Sequence, residues 1–199
     1  SLSGKIEITG TQGHIAYPHL SNNPIDTMVA ICKKLKEKKL DKGNKNFQPS
    51  NLEFTSINVD NKAHNVIPAR ARAQFNIRYN NLHTSSSLKK RINKIINNLV
   101  KRNKCKFDIE YMVSGESFLT KINNVTYMIR DIIKKNTKIT PKLSTTGGTS
   151  DARFIRKISP CIEFGLVGKT MHKVDEAVSL KDLKKLTKIY KEILDSYFK

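Results

Sequence analysis

Ala69-Arg70-Ala71-Arg72-Ala73-Gln74-Phe75-Asn76-Ile77-Arg78-Tyr79 alternates strictly, with Ala71, Ala73, Phe75 and Ile77 on one face and Arg70, Arg72, Gln74, Asn76 and Arg78 on the other. A period of two held this long predicts a strand with one face in a core and the other in water. Upstream, Lys5-Ile6-Glu7-Ile8-Thr9 repeats the pattern, and Leu52 to Ile57 is a β-rich run of imperfect period. Downstream, Phe107, Ile109 and Tyr111 alternate before Ser114-Gly115. Between these runs, Asn23-Pro24 predicts the cap and first turn of a helix to about Leu40, carrying Met28, Ile31, Cys32 and Leu35. Ser85 to Ser87 offer caps to a second helix with Leu88, Ile92, Ile95, Ile96 and Leu99 on one stripe. The order β-α-β-β-α-β over residues 1–114 is the split βαβ, ferredoxin-like α+β arrangement: a four-stranded antiparallel sheet with two helices on one face. Its other face is open to water or to association.

From Glu116 the pattern changes. A helix is expected around Asn123 to Asn136, a short strand from Pro141 to Thr145, and a brief helix at Ala152 to Arg156. The apolar run Cys161 to Val167 reads as a buried strand, and Ser179-Leu180-Lys181-Asp182 resembles a capping box opening a last helix. Two helices and two strands make a poor independent domain, but they would complete a larger α/β sheet supplied elsewhere.

The 199 residues are 38% hydrophobic, which excludes wholesale disorder, and no stretch approaches the ~18 consecutive apolar residues of a membrane-spanning helix. No membrane partner is expected. The net charge of +20 comes from 29 Lys and 8 Arg against 17 acids, alongside 18 Asn. AT-rich coding drift accumulates this composition, which weakens the basicity as a sign of nucleic-acid binding. The strand Ala69–Tyr79 also lacks the paired aromatics of an RNA-recognition sheet, so no nucleic-acid partner is expected and the Lys-rich helix reads as a solvated face. Three scattered cysteines argue against a disulfide framework or a cysteine zinc site and fit a reducing cytoplasm. The chain starts on Ser1 with a strand already under way, as expected of the carboxyl-terminal part of a longer protein.

Five places carry candidate chemistry. Gly13-His14-Ile15-Ala16-Tyr17-Pro18-His19 packs two His and a Tyr into a turn, which either reaches across an interface or clusters by chance in a loop. Arg78 suits a bidentate grip on a carboxylate, although a solvated strand arginine is commoner. Asn65 offers an amide to a ligand or serves turn chemistry. Gly147-Gly148-Thr149-Ser150-Asp151 suits an anionic ligand, or is a helix-entry turn capped by Asp151. By spacing alone His172 is an ordinary loop residue, since no motif supplies further zinc ligands.

Taken in order, these blocks, with Ser1-Leu2-Ser3-Gly4, Asn23-Pro24, Asn65-Val66-Ile67-Pro68, Phe75-Asn76-Ile77-Arg78, Ser144 to Asp151, Glu163-Phe164-Gly165 and Asp175-Glu176, closely resemble the succinyl-diaminopimelate desuccinylases. These are dinuclear zinc amidohydrolases, related to aminoacylases and carboxypeptidase-like peptidases. The resemblance covers all 199 residues. It implies a dimerisation or lid domain over residues 1–114, and over 115–199 the carboxyl-terminal portion of an α/β zinc-peptidase-like catalytic domain whose amino-terminal part lies outside the chain. It implies hydrolysis of N-succinyl-LL-2,6-diaminopimelate to succinate and LL-2,6-diaminopimelate, a step in lysine and cell-wall precursor synthesis, by a cytoplasmic homodimer joined through the lid. The implied cofactor is zinc, two per site, with cobalt as a substitute; zinc polarises the amide and lowers the pKa of water toward ~7. His14 is implied to donate to the oxyanion in the partner's site and His172 to ligate one zinc. Tyr17, Asn65, Arg78, Ser114, Gly148 and Thr149 are implied to hold the small dianionic substrate. The family's general-base glutamate and remaining ligands have no counterpart here, so the chain alone is expected to be inactive. The alternative is a non-catalytic dimerisation or binding module derived from such an enzyme. His64 and Ala152 depart from the family's usual asparagine or small polar residue and glycine.

Overall fold

The computed structural model describes residues 1–147 and 150–199. In chain order the elements are β1 (Leu2–Thr9), β2 (Gly13–His14), α1 (Pro24–Glu37), β3 (Asn51–Asn58), β4 (Val66–Ile67), β5 (Arg70–Arg78), α2 (Ser85–Arg102), β6 (Lys106–Val113), α3 (Asn124–Thr137), α4 (Ala152–Ile155) and α5 (Leu180–Tyr197). They form two compact units, one of residues 1–118 with 145–147, the other of residues 119–144 with 150–199.

In the first unit, the four long strands form one antiparallel sheet in the order β3-β5-β1-β6. The alternation in β5 is realised as expected: Ala71, Ala73, Phe75 and Ile77 are buried and their neighbours face outward. Leu2, Ile6 and Ile8 of β1 join them in a core closed by Met28, Ile31 and Leu35 of α1 and Leu88, Ile92 and Ile96 of α2. Both helices therefore cover the same face. Each buried aliphatic side chain removed from water contributes roughly 1.5–3 kcal/mol, so this one layer dominates the unit's stability. Gly4 is part of the fit, because a Cβ there would lie 2.2 Å from the Phe75 ring.

The caps follow the sequence. Asn23 accepts from the Ile25 amide at the start of α1. Thr84 and Ser87 form a reciprocal capping box on α2, satisfying amides the helix cannot pair internally. Helix α1 stops at Glu37 rather than Leu40, because Lys38 turns extended and Leu40 packs on the core from the loop. The imperfect period of β3 is a bulge between Phe54 and Ser56, beyond which Ile57 is exposed.

In the second unit, α3 and α5 pack through Ile132, Ile133 and Ile189. Two expectations fail here. Neither Pro141 to Thr145 nor Cys161 to Val167 is a strand, and the second is not buried. A strand needs a hydrogen-bonded neighbour, and among the described residues this unit has none. Asp151 stands before α4 without a side-chain capping bond; the Ser150 hydroxyl accepts from the Ala152 amide instead.

Candidate functional site

The candidate residues of the first unit gather at the two ends of its sheet. Beyond Thr9 the chain leaves β1, and β2 pairs with β4 in the register Gly13 to Ile67 and His14 to Val66. The Ile15 amide donates to the Asn65 carbonyl at 3.1 Å, so His14 and Asn65 are neighbours despite their separation in sequence. A tight turn then brings the Tyr17 amide to the His14 carbonyl at 2.9 Å and sets the Tyr17 ring tilted against that of His14 (centroids 5.9 Å) and edge-on to that of His19 (6.4 Å). The finger is exposed throughout, Ile15 and Tyr17 included, so it projects apolar surface as well as polar groups.

The orientation of His14 is set locally. Its Nδ1 accepts from the Ala16 amide at 3.1 Å. A neutral imidazole that accepts at Nδ1 carries its proton on Nε2. The outer nitrogen is therefore a donor, the role an oxyanion requires.

The opposite end is built by register. Leu2 of β1 pairs with Ile77 on one side and Val113 on the other. Arg78 and Ser114 are each the next residue along, so they flank the start of β1 from both neighbouring strands. Ser114 binds Ser1 through its amide (3.0 Å) and its hydroxyl (2.7 Å). Next to them the Glu116 carboxylate accepts from the Ser85 amide at the start of α2 (3.2 Å). Burial pushes the Glu116 pKa up, but the Ser85 hydrogen bonds outweigh it and hold the carboxyl below its ordinary range. Arg72 of β5 pairs with Glu7 (2.7 Å) and Asp60 (3.0 Å).

His172 lies in an exposed loop of the second unit, with φ of 59° and its amide on the Glu176 carboxylate at 3.2 Å. Among the described residues no three His, Cys, Asp or Glu side chains are grouped to hold a metal. A catalytic zinc takes about three protein ligands, and no such set is assembled among the described residues. Gly148 and Thr149, expected to bind substrate, lie outside the described residues. Among the described residues no helix is long and apolar enough to cross a membrane.

The sheet and its exposed finger match a known domain: residues 1–104 fit the peptidase dimerisation domain of the M20 type. The chain belongs to the M20 peptidase dimerisation family. It is 66% identical over 198 residues to a succinyl-diaminopimelate desuccinylase of Pelagibacter ubique, covering all of this chain and 52% of that protein. A Rhodopseudomonas palustris protein of the same name is 49% identical over 200 residues, with coverages of 100% and 51%. The chain thus spans about half the length of the curated relatives it matches. Among solved structures, aminopeptidase PepT from Bacillus cereus superposes with a TM-score of 0.78 at 16% identity, over 100% of this chain and 52% of that one. A Staphylococcus aureus tripeptidase gives 0.78 at 17% identity, over 96% and 50%. These two share this chain's fold.

One group of residues escaped the sequence. Asp41, Asn80 and His83 form a hydrogen-bonded clasp in the first unit. No local pattern announces it, since the partners are separated by the whole of β3 to β5.

Proposed function

We propose that this chain is the lid and terminal catalytic segment of a homodimeric hydrolase that cleaves N-succinyl-LL-2,6-diaminopimelate to succinate and LL-2,6-diaminopimelate, in cytoplasmic lysine and diaminopimelate synthesis. The observation that carries the reading is the division of the candidate residues between the two ends of one sheet. His14, Tyr17 and Asn65 stand beyond the Arg70 end of β5 and Arg78 at its other end. Eight residue steps of about 3.3 Å put those ends roughly 26 Å apart. The scissile carbonyl and the farthest carboxylate of the substrate are at most roughly 9 Å apart by ordinary bond lengths. A site using both groups must therefore take the finger from one copy and Arg78 from another.

In that composite site the Arg78 guanidinium pairs with a substrate carboxylate in a fork, and the Ser114 hydroxyl and Asn65 amide complete the polar grip. Gly148 and Thr149 would add contacts on the same substrate. Tyr17 lies against the His14 ring and limits its movement. The Nε2 proton of His14 is donated to the oxygen on which charge develops as the amide is attacked; a preorganised donor of this kind is worth about 3 kcal/mol. Zinc, or cobalt in its place, is the metal proposed for the complete site, with His172 as the ligand from this chain. No step above depends on it.

The test measures succinate release and bound zinc in the product of the gene's full reading frame. His14→Ala is expected to lower kcat by about 100-fold with zinc content unchanged, and His172→Ala to lower zinc content. Equal loss of zinc in His14→Ala removes the oxyanion role. A wild-type protein that dimerises without releasing succinate favours a non-catalytic dimerisation module instead.

A further inference from the structure

The connection from α1 to β3, residues 38–50, is longer than the common 4–6 residues or so and contains no regular element. It is nevertheless closely held. The Asp41 carboxylate, 8% exposed, accepts from the Gly43 amide at 2.6 Å, the Ser50 amide at 3.2 Å, the Asn80 side-chain amide at 2.8 Å and His83 Nε2 at 3.1 Å. Asn80, 3% exposed, also donates to the Gln48 carbonyl at 3.0 Å, and its main-chain amide donates to the Ser50 hydroxyl at 3.0 Å. Gly43 has φ of +75°, and a Cβ there would sit 2.6 Å from the Phe47 carbonyl, so the turn tolerates little else. A buried carboxylate with this many donors fixes a conformation rather than merely joining two elements.

What is fixed lies at both ends of the clasp. Asn80 is two residues beyond Arg78, and Ser50 precedes Asn51, the residue paired with Arg78 across the sheet. At the tip of the loop, the Asn46 carbonyl accepts a hydrogen bond from the Thr145 hydroxyl. Thr145 begins the stretch that runs on through Gly147 to Gly148 and Thr149. We propose that Asp41 is a positioning residue of the substrate site, whose carboxylate holds the 41–50 loop so that the Asn46 carbonyl fixes Thr145 relative to the strand end carrying Arg78. The assignment rests on the reading of Arg78, Gly148 and Thr149 as substrate-binding residues.

Thr145→Val removes the donor without changing the side-chain shape, and Thr145→Ser retains it. In the full-reading-frame protein, Thr145→Val is expected to raise KM for N-succinyl-diaminopimelate by about 5–10-fold with kcat within about twofold. Thr145→Ser is expected to restore KM. Asp41→Asn is expected to raise KM similarly when assayed well below its melting temperature, and the Asp41→Asn/Thr145→Val pair to do no worse than the poorer single variant, since both break one linkage. Hydrogen exchange at residues 145–147, read in the 199-residue chain itself, is expected to quicken in both single variants. Unchanged KM in Thr145→Val, failure of serine to rescue, multiplying effects in the pair, or exchange unaffected by Asp41→Asn would each overturn the assignment. Wild-type protein that releases no succinate overturns the functional reading and this assignment with it, whereas normal wild-type turnover with Thr145→Val unaltered overturns the positioning role alone.

Discussion

Two damaged proteins should make one working enzyme if the finger and Arg78 serve one site from different copies. His14→Ala removes the Nε2 donor, and Arg78→Ala removes the guanidinium at the far end of β5. Each variant alone is expected to lose about 100-fold or more in kcat/KM. Equal amounts of the two, dissociated and reassociated at random, give half heterodimers. In each heterodimer one site receives Arg78 from one chain and His14 from the other, both intact, and the second site carries both lesions. Working sites are then half of one half, so activity returns to about one quarter of wild type, far above either parent. The converse mixture sharpens the test. Double variant His14→Ala/Arg78→Ala reassociated with an equal amount of wild type leaves about one quarter of the activity if sites are shared, and about one half if each site lies within one chain. Succinate release by the full-reading-frame variants after subunit exchange, with the dimer followed by sedimentation, reads both. A mixture of the single variants no better than their average, with heterodimers demonstrably present, refutes the shared site.

Three further outcomes follow from the first unit. Burial alone would raise the Asp41 pKa, but hydrogen bonds from Ser50, Gly43 and Asn80 prevail and bring it from 3.8 down to about 2. A carboxyl depressed by folding stabilises fully above its unfolded value and loses that contribution as pH falls through the folded one, so about 2 kcal/mol should vanish between about pH 4 and pH 2; urea titrations of Asp41→Asn are expected to show a flatter profile over that interval. Gly4→Ala is expected to destabilise by roughly 1–3 kcal/mol, because the added methyl meets the Phe75 ring; the smaller side chain of Phe75→Leu, made in the same protein, should lessen the loss in thermal melting. Ile96→Ala, at a fully buried position of α2, is expected to cost roughly 2–5 kcal/mol by the same measurement.

The long elements were legible because their burial is periodic. Alternation at Ala71, Ala73, Phe75 and Ile77, and the helical spacing of Leu88, Ile92 and Ile96, depend only on which face meets the core. Leu40 misled for the same reason: an apolar residue in helical register packs, partly buried, against the core from the loop after α1. The candidate residues were chosen by type, and their arrangement was not legible in the sequence. Nothing near Gly13-His14 indicates that it pairs with Val66-Ile67, since a two-residue ladder leaves no period. The Ala16 amide that orients His14 is a main-chain group and has no residue signature.

The run Cys161 to Val167 shows the limit of such reading most directly. Its composition is that of a strand buried on both faces, yet Ile162, Leu166 and Val167 are exposed and unpaired with any described strand. An apolar run records the surroundings it was selected for, while a strand exists only where a neighbour supplies the other half of its hydrogen bonds. Val174 at 91% and Ile158 at 88% exposure belong to the same unit. Exposed apolar side chains in this number beside two packed helices mark a place for further structure, and the curated relatives are about twice the length of this chain. The 199-residue chain is therefore expected to bind a hydrophobic dye strongly, and the full-reading-frame protein weakly. Mutation supplies the discriminating control: Val167→Ser and Val174→Ser should reduce dye binding in the chain, and Val29→Ser, at an exposed position of α1 in the first unit, should leave it unchanged. If the first-unit change were as effective as those in the second, the exposed run would not be the source, and the account of why it fails to form a strand would be wrong.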